Sequence, residues 1–400
     1  MFRSKKIMTL LLPIVFILYP LGSLPLVLVE IYNKRKYAFV LLAIFMGLWS
    51  IFYYPFGDQY RYFNDYESYK YISLEDFFNW EDPLITVRLN LVSLLLYCLA
   101  ALNINFEICR FILVSWGYLL MFSMLFMIDK FKNGKCPYVF VLSIMMFFLV
   151  PYFWICFGFR TGMGAIFFSY GAFLVNEKGN KWGFFYGILA ILIHFMYILP
   201  LLLFLLPRNF FFSRKNIGVV LFLIFLFNSC FLSLMNFLGD NVKLLNNLVD
   251  DYINGEYGLE YNWYWFTYLL FLCNCSPLLF MLYCFFKNYQ FSYYATYLVY
   301  CVILIFLFLP FQAPLERYIV CSTLLFGVYH IIHFYSKFHT MILICLLSIL
   351  FIQPFVLYAP AYRRSDQELI LYSSAFSLLK HHYKWEDINK HVFNDGTYRD

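Results

Sequence analysis

Long apolar runs, separated by short charged segments, occupy most of this sequence and decide what it can fold into. A helix of about 20 apolar residues crosses the hydrocarbon core of a bilayer, and backbone groups in lipid must pair within the segment. The sequence therefore predicts an all-α polytopic membrane protein with about 11–12 transmembrane helices. The apolar runs lie near residues 8–31, 37–55, 111–127, 138–157, 162–175, 182–193, 195–206, 217–238, 263–286, 294–310, 315–333 and 340–358.

The composition also favours a membrane protein. The chain is 63% hydrophobic and 13% charged, whereas a soluble domain has roughly 25% charged residues. One water-soluble core cannot hide this much apolar surface, because a folded chain of any size keeps a large accessible surface. A soluble enzyme, a nucleic-acid-binding protein and a disordered chain are therefore excluded.

Charges in the loops predict the orientation of the chain. Cytoplasmic loops of membrane proteins are enriched in Lys and Arg. Basic loops near 34–36, 130–135, 178–181 and 208–215 should be cytoplasmic, and the acidic segments 57–83 and 239–262 should face outward. Segment 84–102 is apolar enough to cross, but its crossing would place the basic loop at 130–135 outside. We interpret it as a helix on the outer membrane surface, which Arg88 and Asn90 also favour.

The acidic segment after the second apolar run contains the first candidate site. It reads Asp58-Gln-Tyr-Arg61-Tyr62-Phe-Asn-Asp65-Tyr66. A carboxylate held next to the bilayer can act as a general base or bind sugar hydroxyls. Tyrosine rings provide stacking faces, and their hydroxyls form hydrogen bonds. The alternative is an acidic aromatic loop at the membrane interface.

Arg160 and His194 are ionisable residues beside or within apolar runs, where such groups are costly and commonly functional. Arg160 lies between two glycines at the start of a predicted helix, and its planar guanidinium matches phosphate oxygens. The alternative is an arginine whose stem extends along the interface. His194 lies in the run 182–206, which has basic groups on both sides. One crossing cannot place both flanks in the cytoplasm, so we predict two short helices that meet near His194 at the outer face. The alternative is a histidine that only packs.

Segment 310–318 forms another predicted turn at the outer face and ends in Arg317 and Tyr318. Its alternative interpretation is a surface ion pair, which contributes about 0–1 kcal/mol. The predicted topology places five charged or titratable residues on one outer face: Asp58, Arg61, Arg160, His194 and Arg317. Arginines that face outward oppose the usual bias of positive charge towards the cytoplasm. A lipid substrate that carries phosphate would explain them.

The order of these segments resembles the EpsG-like branch of the Wzy-type polysaccharide polymerases. That family has an Asp with Tyr in an outer loop, an Arg-x-Gly junction and a His near the end of a later helix. The matching positions are Asp58, Arg160-Thr-Gly162 and His194, and Arg317-Tyr318 is a weaker match. The correspondence is best over residues 50–210. Thr161 stands where the family often has Gln or another polar residue.

This resemblance implies a GT-C-like glycosyltransferase of the bacterial inner membrane. Its donor and acceptor would be undecaprenyl-diphosphate-linked oligosaccharide repeat units, which it would join into O-antigen or a related surface polysaccharide at the outer face. A chain-length regulator is a further candidate partner, and we expect no nucleic acid, metal or other cofactor. The alternatives are a transferase that adds one sugar from a polyprenyl-phosphate donor and a transporter of lipid-linked oligosaccharide.

We predict a role for each candidate residue. Asp58 is the expected base, with Asp65 and His194 as further candidates, and Arg160 with Arg317 would stabilise the departing diphosphate. His194 would donate a hydrogen bond or a proton to that diphosphate. The expected substrate-binding residues are Arg61, Tyr62, Asp65, Tyr66, Arg317 and Tyr318. The expected domains are a transmembrane catalytic body over 1–360, including an outer loop with a surface helix over 57–110 and a second outer loop over 239–262, and a polar tail over 361–400.

Overall fold

Helices and the turns between them make up the described part of the chain. The computed structural model describes residues 11–55, 58–79, 90–131, 139–150, 152–207, 213–226, 228–241, 249, 265–309, 311–333, 337–357, 372–383 and 388. Within these ranges there is no β-strand, so the all-α prediction is confirmed for them.

The helices follow one another with short connections. After a helical stretch at 11–18, the first half contains α1 (Pro20–Tyr32), α2 (Lys36–Ser50), α3 (Asp58–Tyr69), α4 (Leu74–Asn79), α5 (Leu91–Ala101), α6 (Phe106–Phe131), α7 (Val139–Phe148), α8 (Tyr152–Cys156) and α9 (Phe159–Lys178). The second half contains α10 (Trp182–Ile193), α11 (Ile198–Leu202), α12 (Arg214–Leu226), α13 (Asn228–Asn241), α14 (Trp265–Lys287), α15 (Tyr293–Leu307), α16 (Gln312–His333), α17 (Lys337–Leu357) and α18 (Ala375–Leu379). Single 3₁₀ turns at Phe195–Tyr197 and Leu203–Leu205 flank α11.

The predicted apolar runs and the helices agree in position, but some runs contain two helices. The run 182–193 coincides with α10, whereas 138–157 holds both α7 and α8, and 217–238 overlaps both α12 and α13. The acidic segment after α2, predicted as an outer loop, forms the helix α3, and its location outside the membrane stays a prediction. The second outer loop, 239–262, lies almost entirely outside the described residues.

Two segments are long and apolar enough to cross a membrane, namely Phe106–Ile128 and Pro314–His333. The further apolar helical stretches found among the described residues, some of them parts of longer helices, have 10–17 residues, fewer than the about 20 that a perpendicular crossing needs. These two segments support a membrane location. The count of 11–12 crossings and the GT-C-like architecture stay predictions.

The predicted surface helix corresponds in part to α5. Asn90 caps this helix, since its side-chain oxygen accepts a hydrogen bond from the backbone N–H of Val92 at 2.9 Å. At about 1.5 Å per residue, the 11 residues of α5 are too short to cross a hydrocarbon core of about 30 Å. Arg88 lies outside the described residues. A position on the outer surface stays a prediction.

The described helices form two compact units. The first comprises residues within 1–80, 88–163 and 351–400, and the second comprises residues within 81–87 and 164–350. The divisions therefore fall inside α9 and α17.

A fully buried arginine organises one end of the first unit. Arg110, near the start of α6, donates to the backbone carbonyls of Ile51 and Tyr53 after α2. Its guanidinium also donates to the Gln59 side-chain oxygen at 3.1 Å and lies 3.9 Å from the Glu107 carboxylate. The last carbonyls of a helix have no intrahelical donors. Arg110 supplies donors there and ties the end of α2 to the starts of α3 and α6.

The polar tail returns to this same end of the first unit. The backbone N–H of Tyr383 donates to the Glu107 carboxylate at 3.1 Å, and its hydroxyl donates to the carbonyl of Phe52. Its ring lies 4.3 Å from the ring of Tyr54. The tail residue Tyr383 therefore lies against the end of α2 and the start of α6.

Tyrosine hydroxyls complete the irregular backbone of the second unit. The segment 194–207 contains only short helical pieces, so several of its carbonyls lack intrahelical donors. Tyr297 on α15 donates to the carbonyl of Pro200 at 3.2 Å, and Tyr300 donates to that of Pro207 at 2.8 Å. Tyr297 also stacks on Phe204 at 4.4 Å between centroids. These contacts let a broken helix be buried beside α15.

Replacement of Arg110 by leucine should strongly destabilise the fold. Removing one partner from a buried ion pair costs about 3–5 kcal/mol, because the other charge stays buried. Thermal or denaturant unfolding of purified Arg110→Leu should show this loss. Arg61→Leu is the matched control, since the Arg61 side chain is 63% exposed. Equal stability of the two variants would contradict the organising role of Arg110.

Candidate functional site

One face of α3 presents alternating charges. Asp58, Arg61 and Asp65 are spaced by three and four residues, which places them along one stripe of the helix. The Arg61 guanidinium lies 4.0 Å from the Asp58 carboxylate, and both side chains are exposed. Asp58 is the first residue of α3, where a carboxylate interacts favourably with the helix dipole.

Arg160 lies beside this stripe at the start of α9. Its guanidinium carbon is 5.3 Å from the centroid of the Tyr62 ring, within the range of a cation–π interaction. The Tyr62 ring stacks in turn on Phe159 at 5.6 Å between centroids. The predicted grouping of Arg160 with Tyr62 is therefore present in the structure.

A glycine lets the start of α9 approach α8 closely. A Cβ atom on Gly162 would lie 2.3 Å from the backbone carbonyl oxygen of Trp154. No larger residue fits without moving backbone, so the glycine at position 162 has a steric cause. Gly162 sets the distance between α8 and the turn that carries Arg160.

Asp65 is the titratable group most affected by this environment. The surrounding protein removes part of its hydration and raises its pKa from 3.8 to about 6. The positive charges of Arg160 and Arg61 oppose this shift. The residue is nonetheless exposed to solvent, so a substrate could reach the carboxylate. A carboxylate with a pKa near neutrality suits a general base.

Tyr66 lies on a different face of α3. Its hydroxyl donates to the backbone carbonyl of Ile104 at 2.6 Å, and its ring packs against Phe106. Burial raises the pKa of Tyr66 to about 12, so the hydroxyl stays protonated as a donor. The structure does not bring Tyr66 to Asp65 and Arg160.

Gln59 connects α3 with the end of α8, four residues before Arg160. It is fully buried, and its amide nitrogen donates to the backbone carbonyl of Cys156, the last residue of α8. Its oxygen accepts the hydrogen bond from Arg110. Neither Gln59 nor Arg110 was predicted from the sequence. A signal for Arg110 was present, because Glu107 and Arg110 are charged residues directly before the apolar run 111–127.

The predicted break at His194 is confirmed. α10 ends at Ile193, and His194 has an extended backbone conformation with φ −151° and ψ 119°. The backbone N–H of Met196 donates to Nδ1 of His194 at 3.3 Å. In the neutral imidazole this assigns the proton to Nε2, which is then a donor. The position of this break at the outer face stays a prediction.

Residues of α16 meet the chain after His194. The Tyr318 hydroxyl donates to the carbonyl of Met196 at 3.2 Å, and Arg317 interacts electrostatically with the buried Tyr197. Tyr197 packs closely on α9, since a Cβ atom on Gly164 would lie 2.2 Å from its ring. The second unit therefore brings Arg317 and Tyr318 to the His194 break. Tyr197, three residues after His194, packs against α9 in the same unit.

The predicted site residues are divided between the two units. The first unit groups Asp58, Arg61, Tyr62, Asp65 and Arg160, and the second groups His194, Arg317 and Tyr318. A single outer face for all of them stays a prediction. The described residues contain no group of three or more His, Cys, Asp or Glu side chains that could hold a metal ion.

Comparisons with protein-family models, with curated proteins and with solved structures find no match to this chain. The resemblance to the polysaccharide polymerases therefore remains an interpretation of its motifs. Chemistry has to be inferred from the geometry of the two groups.

Substitution of Gly162 by alanine should displace the start of α9. An added methyl group in a packed site costs about 1–3 kcal/mol, and here it meets backbone, which cannot rotate away. Gly218→Ala is the matched control, because a Cβ atom there contacts nothing within 4 Å. We expect lower thermal stability only for Gly162→Ala. A Gly162→Ala protein as stable as Gly218→Ala would contradict the steric role.

The pKa of Asp65 predicts a pH dependence of stability. The pKa of Asp65 is about 6 in the folded protein, compared with its ordinary value of 3.8. Between these pH values the folded protein therefore binds more protons than the unfolded chain. The Asp65 contribution to the free energy of unfolding is therefore greatest below about pH 4 and falls as pH rises through 6. Relative to wild type, Asp65→Asn should become more stable as pH increases over this window. Melting temperatures of both proteins from pH 4 to 8 test this, and a constant difference would contradict it.

Proposed function

We propose that this protein is a polytopic membrane glycosyltransferase that joins undecaprenyl-diphosphate-linked oligosaccharide repeat units at the outer face of the bacterial inner membrane. The observation that carries the proposal is the position of Arg160 over the Tyr62 ring and beside Asp65. A cation, a carboxylate and an aromatic face together suit a reaction in which a hydroxyl loses a proton and a diphosphate leaves. Two segments able to cross a bilayer suit a lipid-linked substrate.

The proposed reaction exchanges one bond at the anomeric carbon of the donor glycan. The hydroxyl oxygen of the acceptor sugar forms a bond to that carbon, and the bond from the carbon to the diphosphate oxygen breaks. The electron pair of the broken bond leaves with the lipid diphosphate, and Arg160 stabilises the added negative charge. The hydroxyl proton passes to a carboxylate.

Asp65 is the better base of the two aspartates on α3. Its pKa of about 6 combines an ionised form at neutral pH with substantial basicity. The Asp58 carboxylate lies 4.0 Å from the Arg61 guanidinium at the start of the helix. The proposal therefore assigns proton transfer to Asp65, and it assigns binding of sugar hydroxyls to Asp58 and Arg61.

The His194 group contributes a second set of anion-binding side chains. The Nε2–H of His194 and the guanidinium of Arg317 are suitable donors to phosphate oxygens. They belong to the second unit, and no step of the proposed reaction depends on them.

Arg160→Ala tests the proposal in a host from which the wild-type gene is deleted. We expect surface glycan with a single repeat unit and no polymer ladder, because the departing diphosphate loses its stabilising cation. In a reconstituted assay with purified lipid-linked repeat units, the rate should fall about 10²–10³-fold. Arg35→Ala is the control, since Arg35 is a basic residue with a 45% exposed side chain away from α3.

The outcomes separate the alternatives. A full polymer ladder from Arg160→Ala at wild-type protein levels would overturn the proposal. Loss of the single-repeat product as well would indicate a transporter, since no unit would reach the outer face. A product with exactly one added sugar in the reconstituted assay would indicate a single-sugar transferase.

A further inference from the structure

A cavity of about 250 Å³ lies against α3 on the side away from Asp65. Phe63, Glu67 and Lys70 line it, and they follow the spacing of one helix face. At 100° per residue this face is roughly opposite the stripe that contains Arg61 and Asp65. Residues 105–107 at the start of α6 and 382–383 of the tail complete the wall. All of these residues belong to the first unit.

Aromatic rings form much of the cavity wall and are held in fixed positions. The Phe106 ring lies 5.5 Å from that of Phe63 and 5.8 Å from that of Tyr66. The hydrogen bond from Tyr66 to the Ile104 carbonyl fixes the orientation of its ring. Such rings offer apolar faces without a loss of side-chain freedom on binding.

Polar groups border these rings. The Lys70 ammonium lies 2.6 Å from the Glu67 carboxylate and 4.7 Å from the centroid of the Tyr66 ring. The Glu107 carboxylate is buried and accepts the N–H of Tyr383, and the His382 side chain also lines the cavity. Donors and acceptors therefore share the wall with the aromatic rings.

The charges and the size restrict the class of ligand. Among the lining residues, the Lys70 ammonium is already paired with the Glu67 carboxylate and Glu107 is acidic, which disfavours an anion such as a diphosphate. An aliphatic lipid chain would remove water from the Glu67–Lys70 pair without replacing its hydrogen bonds. The volume is below the about 300–1,000 Å³ of pockets for drug-sized ligands. A single neutral sugar ring, apolar on one face and rich in hydroxyls at its edge, fits these limits.

We propose that this cavity is a carbohydrate-binding site that holds one neutral sugar residue of the glycan, separate from the Asp65–Arg160 group. The inference rests on the proposed function for the identity of the glycan. Because α3 forms part of both sites, a chain held in the cavity stays next to the reacting groups between transfers. The tail wall also requires residues 372–383 to lie on the same side of the membrane as α3.

Saturation-transfer NMR on the purified full-length protein tests the site with neutral probes. The probes are glucose, galactose, rhamnose and N-acetylglucosamine, and pyrophosphate serves as an anionic comparison. We expect transfer to at least one sugar from wild type, and binding about tenfold weaker for the double variant Glu67→Gln/Lys70→Met, as for the loss of one or two hydrogen bonds. Ser68→Ala is the control on the exposed side of α3. Melting temperatures of all variants exclude a loss of fold.

Two results would overturn the inference. One is the absence of transfer to any of the sugars from wild type, and the other is equal sugar binding by wild type and a folded Glu67→Gln/Lys70→Met protein. Sugar binding should persist in Arg160→Ala, which removes the proposed reaction but not the cavity. Cavity-dependent binding without polymerisation would therefore refute the proposed function alone, and polymerisation without cavity-dependent binding would refute this inference alone.

Discussion

The buried Arg110 guanidinium is the interaction on which the candidate site depends. Its hydrogen bonds to the backbone after α2 and to Gln59 fix where α3 begins. Gln59 passes this constraint to the end of α8 through the Cys156 carbonyl, four residues before Arg160. An uncompensated buried charge costs several kcal/mol, and here two backbone carbonyls, the Gln59 oxygen and the Glu107 carboxyl group surround the guanidinium. The structure therefore couples the position of the catalytic candidates to the burial of one charge.

The two aspartates on α3 show how environment separates identical side chains. Asp58 lies at an exposed helix start beside an exposed arginine, while Asp65 is partly dehydrated by surrounding protein and has a pKa of about 6. Sequence reasoning preferred Asp58, because the motif gave both carboxylates the same chemistry. Only the neighbours in space distinguish a carboxylate that binds from one that can exchange a proton near neutrality.

Hydropathy and loop charge predicted the positions of the helices and the break at His194. Both depend on properties that are local in the sequence, namely apolar length and the sign of flanking charges. The helix over the acidic segment was not predicted, since its buried face is defined by partners distant in sequence, such as Ile104 for Tyr66 and Arg110 for Gln59. The return of Tyr383 to Glu107 spans 276 positions and left no signal in either segment.

The interactions of Arg160 with Tyr62 and Asp65 explain why an anionic substrate would suit the start of α9. An arginine in an apolar environment costs roughly 2.5–3.5 kcal/mol on insertion scales, and a cation–π contact such as that with Tyr62 offsets about 0.5–2 kcal/mol. The Asp65 carboxylate also compensates the charge of Arg160. The pKa of Asp65 is raised rather than lowered, because the loss of hydration around its carboxylate outweighs its attraction to Arg160 and Arg61. When Asp65 takes a proton, the negative charge beside Arg160 disappears. A diphosphate that gains charge as Asp65 gains its proton would restore the balance, so proton transfer and departure of the leaving group would favour each other in one step.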